Sequence, residues 1–305
     1  MVRHGSLTAA GAALQYTTSA VSQQIAALER ETGTRLLIRG PNGARPTPAG
    51  EKLLKHAERI LAAVDLAERD LCGSTEAGHE QIRLTSFSSV STSLLPKMIR
   101  EIRRIRPMVD VEILTADPDD GVALLNSGQA DATIITEVPD ESRAFPQLFT
   151  APVFDDEFYV VLPPSHPMSS RREVSLAALA TERWIVSSAT GDCPDTRVFR
   201  KACAAAGVTP EVSYRQDDYG AVQAMVAVGL GVSLVPSLAV GAARHDVTVR
   251  RVSGSRPIRR ISIALREKPA EGSATNTLVS ALQQVGAAAV VEHPYSNSAR
   301  PLSMA

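Results

Sequence analysis

The distribution of apolar and polar residues between positions 5 and 50 predicts two short helices joined by a tight turn. Ser6 or Thr8 can cap the first helix, and Thr17 is placed as the N-cap of the second. The apolar residues of the first helix are three small alanines and one leucine: Ala9, Ala10, Ala13 and Leu14. Those of the second recur on one helical face: Val21, Ile25 and Leu28. Small side chains let the second helix cross the first closely, which is typical of a helix-turn-helix.

The opposite face of the second helix is polar and uncharged. Its residues are Thr18, Ser19, Ser22 and Gln23. Short donors and acceptors of this kind suit the base edges and phosphate oxygens of a DNA major groove. Taken alone, the pattern fits an ordinary amphipathic helix with a solvated polar face equally well.

A predicted two-stranded wing decides between these alternatives. Gly33 ends the second helix, and two short strands then flank a tight turn at residues 39–43. Arg39 and Arg45 fall in this wing, where they suit phosphate contact and insertion into the minor groove. The pattern therefore favours a DNA-reading domain over residues 1–49.

The run AVSQQIAALERETGTRLLIR followed by PTPAGE closely resembles the DNA-binding domain of LysR-type transcriptional regulators. The resemblance implies that Thr17 is the capping position. It implies DNA contacts by Thr18, Ser19, Ser22 and Gln23, and phosphate contacts by the wing arginines Arg39 and Arg45. In the family a further apolar helix precedes these elements, and residues 1–4 do not supply it. We therefore expect either a start further upstream or a domain of low stability.

Charge is concentrated in the same segment. The 305-residue chain has a net charge of -1, but residues 1–50 contain five arginines and two glutamates, a net charge of +3. This places cationic surface on the predicted DNA reader. The low aromatic content of 4% disfavours a stacking surface for RNA or single strands.

Residues 50–71 predict one long helix, because they contain no glycine or proline after the first position. Apolar residues form a stripe at helical spacing: Leu53, Leu54, Ala57, Ile60, Leu61, Val64 and Leu71. The stripe either lies against its own domain or, as we expect, pairs with a second copy. The resemblance implies the same pairing, in homodimers or homotetramers. Residues 72–78 are interpreted as a hinge, so residues 50–78 form a linker.

From residue 79, strands alternate with helices, which predicts a mainly parallel sheet covered on both faces. The runs RLTSF, SGQADATII and GLGVSLVP resemble the effector domain of LysR-type regulators, which is like a type 2 periplasmic binding protein. We expect a multidomain α/β chain with a two-lobed effector domain over residues 79–292. The expected bounds are about 79–160 and 264–292 for lobe I, about 161–263 for lobe II, and 293–305 for a disordered tail.

A small-molecule effector is expected between the lobes, where the carboxyl ends of the strands meet. The candidate contacts are hydroxyls that follow strands: Ser86, Ser88, Ser89, Thr136 and Thr190. Because hydroxyls and free N–H groups bind anions, the expected ligand group is a carboxylate or a phosphate. The alternative role for such residues is helix capping, expected for Ser91 or Thr92. Arg197 is either a partner for an acidic ligand or half of a surface ion pair.

Other classes of function are disfavoured. The chain has no GxSxG elbow and no Gly-rich phosphate loop, so neither an enzyme nor a cofactor is predicted. Acidic runs such as residues 117–120 are interpreted as helix caps and solvated turns rather than metal ligands. Cys72, Cys193 and Cys203 lack paired spacing, which indicates free thiols in a reducing compartment. No segment reaches the ~18 apolar residues of a membrane span, and no secretion signal occurs.

The sequence thus predicts a cytoplasmic transcriptional regulator that binds double-stranded DNA as a homo-oligomer and responds to an effector. The alternative is a solute-binding or enzymatic clamshell that does not bind DNA and whose N-terminal helices only dimerise.

Overall fold

The computed structural model describes residues 6–40, 43–54, 56–57, 60–61, 64, 80–141, 145–187, 193–240 and 244–292. The chain forms two compact units, Met1–Cys72 and Gly73–Ala305. The predicted hinge over residues 72–78, the predicted tail over residues 293–305, and Thr190 lie outside the described residues. Among the described helices, none is long and apolar enough to cross a membrane.

The N-terminal unit contains the helices and strands that the sequence predicts. They are α1 (Leu7–Leu14), α2 (Thr18–Thr32), β1 (Leu37–Gly40), β2 (Gly43–Pro46) and a helix α3 that includes residues 48–54. The Ser6 hydroxyl caps α1 by accepting from the backbone N–H of Ala9 at 3.0 Å. Thr17 caps α2 in the same way, with Ala20 as the donor at 3.1 Å. Both caps satisfy N–H groups that have no partner within the helix.

The turn between α1 and α2 depends on Gly11. The backbone N–H of Tyr16 bonds to the Gly11 carbonyl at 2.8 Å, and Gln15 adopts the left-handed conformation with φ 57°. A Cβ atom on Gly11 would lie 2.7 Å from the Tyr16 carbonyl oxygen. The close approach of backbone to backbone therefore requires a residue without a side chain.

The wing is an antiparallel pair in which Gly40 lies opposite Gly43, so its turn is shorter than the predicted 39–43. The Glu29 carboxylate of α2 accepts from the backbone N–H groups of Leu36 and Leu37 at 2.7 and 3.0 Å. These bonds hold the start of the wing against the end of the second helix.

Much of the apolar surface of the N-terminal unit is uncovered. Leu14, Tyr16 and Leu28 are 57%, 64% and 41% exposed, and they line an apolar groove of about 460 Å³. In the described part of the linker, Ile60, Leu61 and Val64 are also exposed. Leu53, Leu54 and Ala57 of the predicted stripe are half-buried, so only its described residues beyond position 57 are open in the single chain.

The larger unit alternates strands and helices. Its strands are β3 (Glu80–Ser86), β4 (Val109–Thr115), β5 (Ala132–Glu137), β6 (Phe149–Leu162), β7 (Glu173–Val174), β8 (Arg183–Ser187), β9 (Glu211–Gln216), β10 (Ser233–Pro236), β11 (Thr248–Val252) and β12 (Ile258–Leu265). Its α-helices are α4 (Ser88–Ser93), α5 (Leu95–Ile105), α6 (Pro118–Asn126), α7 (Pro194–Ala205), α8 (Tyr219–Ala227), α9 (Ser237–Val240) and α10 (Ala274–Glu292).

The main sheet is mixed rather than mainly parallel. Its order is β4-β3-β5-β12-β6-β11-β7, with β10 also paired to β6, while β8 and β9 form a separate parallel pair. The first part of β6 pairs antiparallel with β12, and residues 158–162 pair antiparallel with β10 and β11. β6 therefore carries the chain from one group of strands to the next. The prediction of a mainly parallel sheet did not include the antiparallel pairing of β6 with β12.

Separate apolar clusters lie along this crossing. The largest includes Leu84, Met98, Ile134, Ile263 and Leu278. Another surrounds Trp184, whose ring centre lies 5.0 Å from that of Phe199. Separate clusters of this kind allow two groups of elements to pack independently around the strands that join them.

The cap predicted at Ser91 or Thr92 is wrong. The helix starts at Ser88, so both residues lie inside α4, and the Thr92 hydroxyl donates to the Ser88 carbonyl at 3.0 Å. α4 and α5 are distinct helices, with Pro96 in the first turn of α5. Proline has no N–H to continue the hydrogen bonding of the preceding helix.

Gly121 of α6 provides a test of packing against the sheet. A methyl group there would overlap the hydroxyls of Thr133 and Thr85, which bond to each other at 2.6 Å. We expect Gly121→Ala to lower the free energy of unfolding by about 1–3 kcal/mol through overpacking, although alanine is otherwise favoured in helices. Urea denaturation measures this change.

Gly220→Ala in α8 is the matched control, because its methyl group would meet only the Asp218 carboxylate, the end of a flexible side chain. That carboxylate caps α8 by accepting from the backbone N–H of Ala221 and would have to shift, so the variant should lose at most about 1 kcal/mol. Equal stability of Gly121→Ala and wild type would contradict the close approach of α6 to β3 and β5.

Candidate functional site

The predicted DNA-facing residues lie at the N-terminal end of α2. Thr17, Thr18, Ser19 and Gln23 are exposed, and Ser22 is half-buried. α2, which is described throughout, has no acidic residue in its first turn. The positive end of the helix dipole is therefore available to a phosphate. The opposite side of the helix lines the apolar groove through Val21 and Ile25. Within this unit the polar face of α2 is turned outward.

Arg39 and Arg45 lie in neighbouring residue pairs of the wing hairpin. Arg45 of β2 is exposed and lies opposite Ile38, whereas Arg39 of β1 lies opposite Ala44. An exposed arginine on a two-stranded ribbon has the reach and charge for a phosphate contact. The contacts of these residues with DNA stay predictions.

The larger unit contains a polar cavity of about 180 Å³. It lies at the end of β8 and at the N-termini of four helices, α4, α6, α7 and α8. The lining residues are Phe87, Ser88, Ser89, Asp117, Pro118, Thr136, Ser187, Cys193, Pro194, Asp195, Asp217, Tyr219 and Arg259. A cavity at the ends of strands is where α/β sheets generally bind ligands.

Three of the five predicted effector contacts line this cavity: Ser88, Ser89 and Thr136. Ser86 is 1% exposed and is not part of the lining, because β3 continues through it and the chain turns only afterwards. Thr190 lies outside the described residues. Arg197 forms an ion pair with Glu141 at 3.0 Å, the second of its two predicted roles.

Arg259, which the sequence analysis did not single out, is the central charge of the site. It lies on β12 and its side chain is 2% exposed. Its Nε and Nη2 donate to Asp156 Oδ2 at 3.0 and 2.8 Å. Its Nη1 donates to both oxygens of Asp195 at 2.9 and 2.7 Å. Nη2 also donates to the Ser89 hydroxyl at 2.8 Å. One guanidinium thus joins β6, α7 and α4.

The carboxylate of Asp156 is fully buried behind this guanidinium. It also accepts from the Ser237 hydroxyl at 2.5 Å and from the backbone N–H of Leu238 at 3.3 Å. Burial raises the pKa of the Asp156 carboxyl, while Arg259 and the Ser237 hydroxyl act against that rise. Burial also acts to lower the pKa of the Arg259 guanidinium, but Asp195 and Asp156 outweigh it and the pKa is raised. Arg259 therefore stays charged.

Tyr219 completes the hydrogen bonding of Asp195. Its hydroxyl donates to Asp195 Oδ2 at 2.6 Å. Burial, followed by the neighbouring Asp195 carboxylate, raises the pKa of Tyr219 well above its usual value. The hydroxyl consequently stays protonated and acts as a donor.

Asp117 contributes a second acidic group to the cavity wall. It occupies the N-cap position of α6, but its side chain makes no capping hydrogen bond. Burial and the carboxylates of Asp120 and Asp217 raise the pKa of Asp117. The residue predicted to be a helix cap or part of a solvated turn is therefore a cavity residue without a capping bond.

The two described cysteines are free thiols in different surroundings. Cys193 lines the cavity at the N-cap of α7 and donates to the Ser187 carbonyl at 3.4 Å. Cys203 is buried, and burial raises the pKa of its thiol to about 11. Cys72 lies outside the described residues.

A local signal for Arg259 does exist in the sequence. In β12 it occupies the same set of alternate positions as the large apolar residues Ile261, Ile263 and Leu265. Because alternate residues of a strand share a face, a charge on that apolar face is expected to be buried and must then have partners. Nothing local, however, identifies those partners.

Comparison with known proteins gives a consistent result over nearly the whole chain. Residues 1–51 match the family model "Bacterial regulatory helix-turn-helix protein, lysR family", and residues 75–287 match "LysR substrate binding domain". A probable HTH-type transcriptional regulator, LrrA, of Synechococcus elongatus is 34% identical over 78% of this chain and 78% of its own. A probable hydrogen peroxide-inducible genes activator of Mycobacterium avium is 31% identical, over 84% and 82%.

The fold also matches a solved structure. CbnR, a LysR family transcriptional regulator, superposes with a TM-score of 0.71 at 20% identity, over 92% of this chain and 94% of CbnR. At 20% sequence identity this comparison shows that the two proteins share a fold.

Two adjacent arginines provide a test of the buried network. Arg259→Met should lower the free energy of unfolding by about 3–5 kcal/mol, because it leaves the buried Asp156 carboxylate without its counter-charge. Arg260 forms an ion pair with Asp155 in which both side chains are nearly half exposed. Arg260→Met should therefore cost at most about 1 kcal/mol.

Chemical denaturation of both variants measures the difference. Similar losses for the two would contradict the assignment of Arg259 as the buried centre of the site.

Proposed function

The chain belongs to the LysR family of bacterial transcriptional regulators, with a helix-turn-helix DNA-binding domain and a substrate-binding domain, and we propose how its residues divide this function. Residues 1–49 read DNA, residues 50–78 link and dimerise, and residues 79–292 bind an effector between two lobes. The observation that carries the proposal is the exposed polar end of α2 beside the cationic wing, in a segment that matches the family's helix-turn-helix.

In the proposed complex the N-terminal turns of α2 enter the major groove of double-stranded DNA. Ser19, Ser22 and Gln23, with Thr18, contact base edges, and Thr17 fixes the start of the helix. Arg45 and Arg39 of the wing contact phosphates. The exposure of the α2 residues and the helix N-terminus free of acidic side chains support this assignment.

We place the effector in the cavity lined by Ser88, Ser89 and Thr136. Residues from both proposed lobes contribute to this cavity, so occupancy would alter how the lobes close on each other. An effector changes DNA binding only by as much as its affinity differs between the two arrangements.

The proposed assembly is a homodimer or homotetramer. The exposed Ile60, Leu61 and Val64 of the linker support pairing with a second copy, since contiguous apolar surface is seldom left in water. The protein would act in the cytoplasm, where it reaches the chromosome, and without catalysis of its own. The alternative of a clamshell that does not bind DNA is not favoured, because residues 1–51 match a DNA-binding family.

Two substitutions separate phosphate contacts from base contacts. Arg45→Ala should weaken binding to all DNA sequences and reduce the slope of log affinity against log salt by about 1. Gln23→Ala should relax the preference at particular base pairs, each worth about 1–3 kcal/mol, with little change in the salt slope. Fluorescence anisotropy on operator and scrambled duplexes over a salt series measures both effects.

Arg103→Ala is the control, since Arg103 is an exposed cation in the other unit. It should bind DNA like wild type. Unchanged DNA binding in both Arg45→Ala and Gln23→Ala would contradict the proposal that the N-terminal end of α2 and the wing contact DNA.

A further inference from the structure

We propose that the protein has a second ligand site, a groove beside α7 that binds a small organic anion with an apolar body, such as an aromatic carboxylate. The inference goes beyond the proposed function, because the groove is separate from the cavity in which we place the effector.

The groove has a volume of about 320 Å³. Its walls are the turn that follows β5, the later turns of α7 and the loop that leads into β12. α7 contributes its first turn to the effector cavity and its later turns to the groove, and no described residue lines both. The volume falls within the range of about 300–1,000 Å³ that is usual for small-molecule sites.

The inner surface of the groove is mainly apolar. Val138, Val198, Ala202 and Pro257 are buried at its base, and Ala205 is exposed at one side. An aromatic or branched aliphatic body that settles on these side chains is removed from water. Among the described residues, none of the exposed large apolar side chains belongs to the lining. The apolar surface is thus confined to a depression, which favours a small molecule over a protein partner.

The charges of the lining favour an anion. Arg256 is exposed, and it makes no hydrogen bond or ion pair within the described part of the chain. The Lys201 ammonium donates to the Pro139 carbonyl at 2.6 Å and to the Asp140 carboxylate at 3.0 Å, so one of its three N–H groups is left. Two positive charges against the one of Asp140 give the described lining a sum of +1. A carboxylate in the groove therefore finds charged donors without having to displace an existing partner.

Contacts between distant segments hold the walls in place. The backbone N–H of Phe158 donates to the Pro257 carbonyl at 2.8 Å, which fixes the loop before β12. Arg197 of α7 pairs with Glu141 at 3.0 Å and, together with the contacts of Lys201, ties α7 to the turn after β5. A groove whose walls are already joined loses little conformational entropy when a ligand binds.

Matched small molecules on the full chain test the site. The probes are 3-phenylpropionate, its neutral amide 3-phenylpropanamide, the cation 3-phenylpropylamine, and acetate, titrated calorimetrically at neutral pH and constant ionic strength. We expect saturable binding of 3-phenylpropionate, at least about tenfold tighter than that of the amide or the amine, because only the carboxylate can pair with Arg256 and Lys201. Acetate should bind most weakly of the two anions, since it lacks the apolar body.

Paired variants locate the bound probe. Ala205→Phe fills the groove and Arg256→Met removes its unpaired cation, so each should weaken 3-phenylpropionate binding at least about tenfold. Ala204→Phe and Arg172→Met are the controls, because both residues are exposed and neither lines the groove. They should bind the probe like wild type. Thermal unfolding of all four variants checks that they are folded, and these exposed positions should leave the melting temperature close to that of wild type.

A further variant separates the groove from the effector cavity. Thr136 lines that cavity and does not line the groove, so Thr136→Val should leave 3-phenylpropionate binding unchanged. Loss of binding in Thr136→Val but not in Ala205→Phe would place the carboxylate in the effector cavity and overturn the inference. Equal affinity for the carboxylate and its amide, or binding of none of the probes, would overturn it as well. The titrations contain no DNA, so these failures leave the proposed DNA binding untouched, which footprinting tests separately.

Discussion

The larger unit depends on the pairing of one buried guanidinium, that of Arg259. Arg259 lies on β12, and its partners come from three other elements: Asp156 on β6, Asp195 on α7 and Ser89 on α4. A charge removed from water is costly unless it is paired and hydrogen-bonded, so these elements must come together as a set. The same pairing fixes the cavity wall, because Ser89, Asp195 and Arg259 all line it. Stability and ligand chemistry therefore share one hydrogen-bond network.

The N-terminal unit is organised by a different physical constraint, the close crossing of short helices. Its conformation rests on local devices: hydroxyl caps at Ser6 and Thr17, the carboxylate of Glu29 on the wing, and the absence of a side chain at Gly11. These interactions shape the surface of α2 but bury little apolar area, since Leu14, Tyr16 and Leu28 remain exposed. Helical units of this size gain most of their stability from packing. A partner that covered Leu14, Tyr16 and Leu28 would therefore stabilise the N-terminal unit.

Prediction from the sequence succeeded where the determining interactions are local. The cap at Thr17 and the stop at Gly33 were identified from residue types and spacing and are confirmed, and Ser6 is the one of the two candidates, Ser6 and Thr8, that caps α1. The cap at Ser91 or Thr92 was wrong because Ser88 already lies in the helix and Pro96 separates α4 from α5. The predicted parallel sheet missed the antiparallel course of β6 and β12, which depends on contacts between distant segments. Of the effector contacts, Ser88, Ser89 and Thr136 line the cavity, and their role stays a proposal.

By itself the sequence determined the helix-turn-helix with its wing and the family to which the chain belongs, because periodicity, caps and turns act over a few residues. Only the tertiary structure decided which charges meet. Arg259 finds Asp195, Asp156 and Ser89 at sequence separations of 64, 103 and 170 residues. No local pattern encodes such distances, so the partners of Arg259 are identified only once the chain is folded.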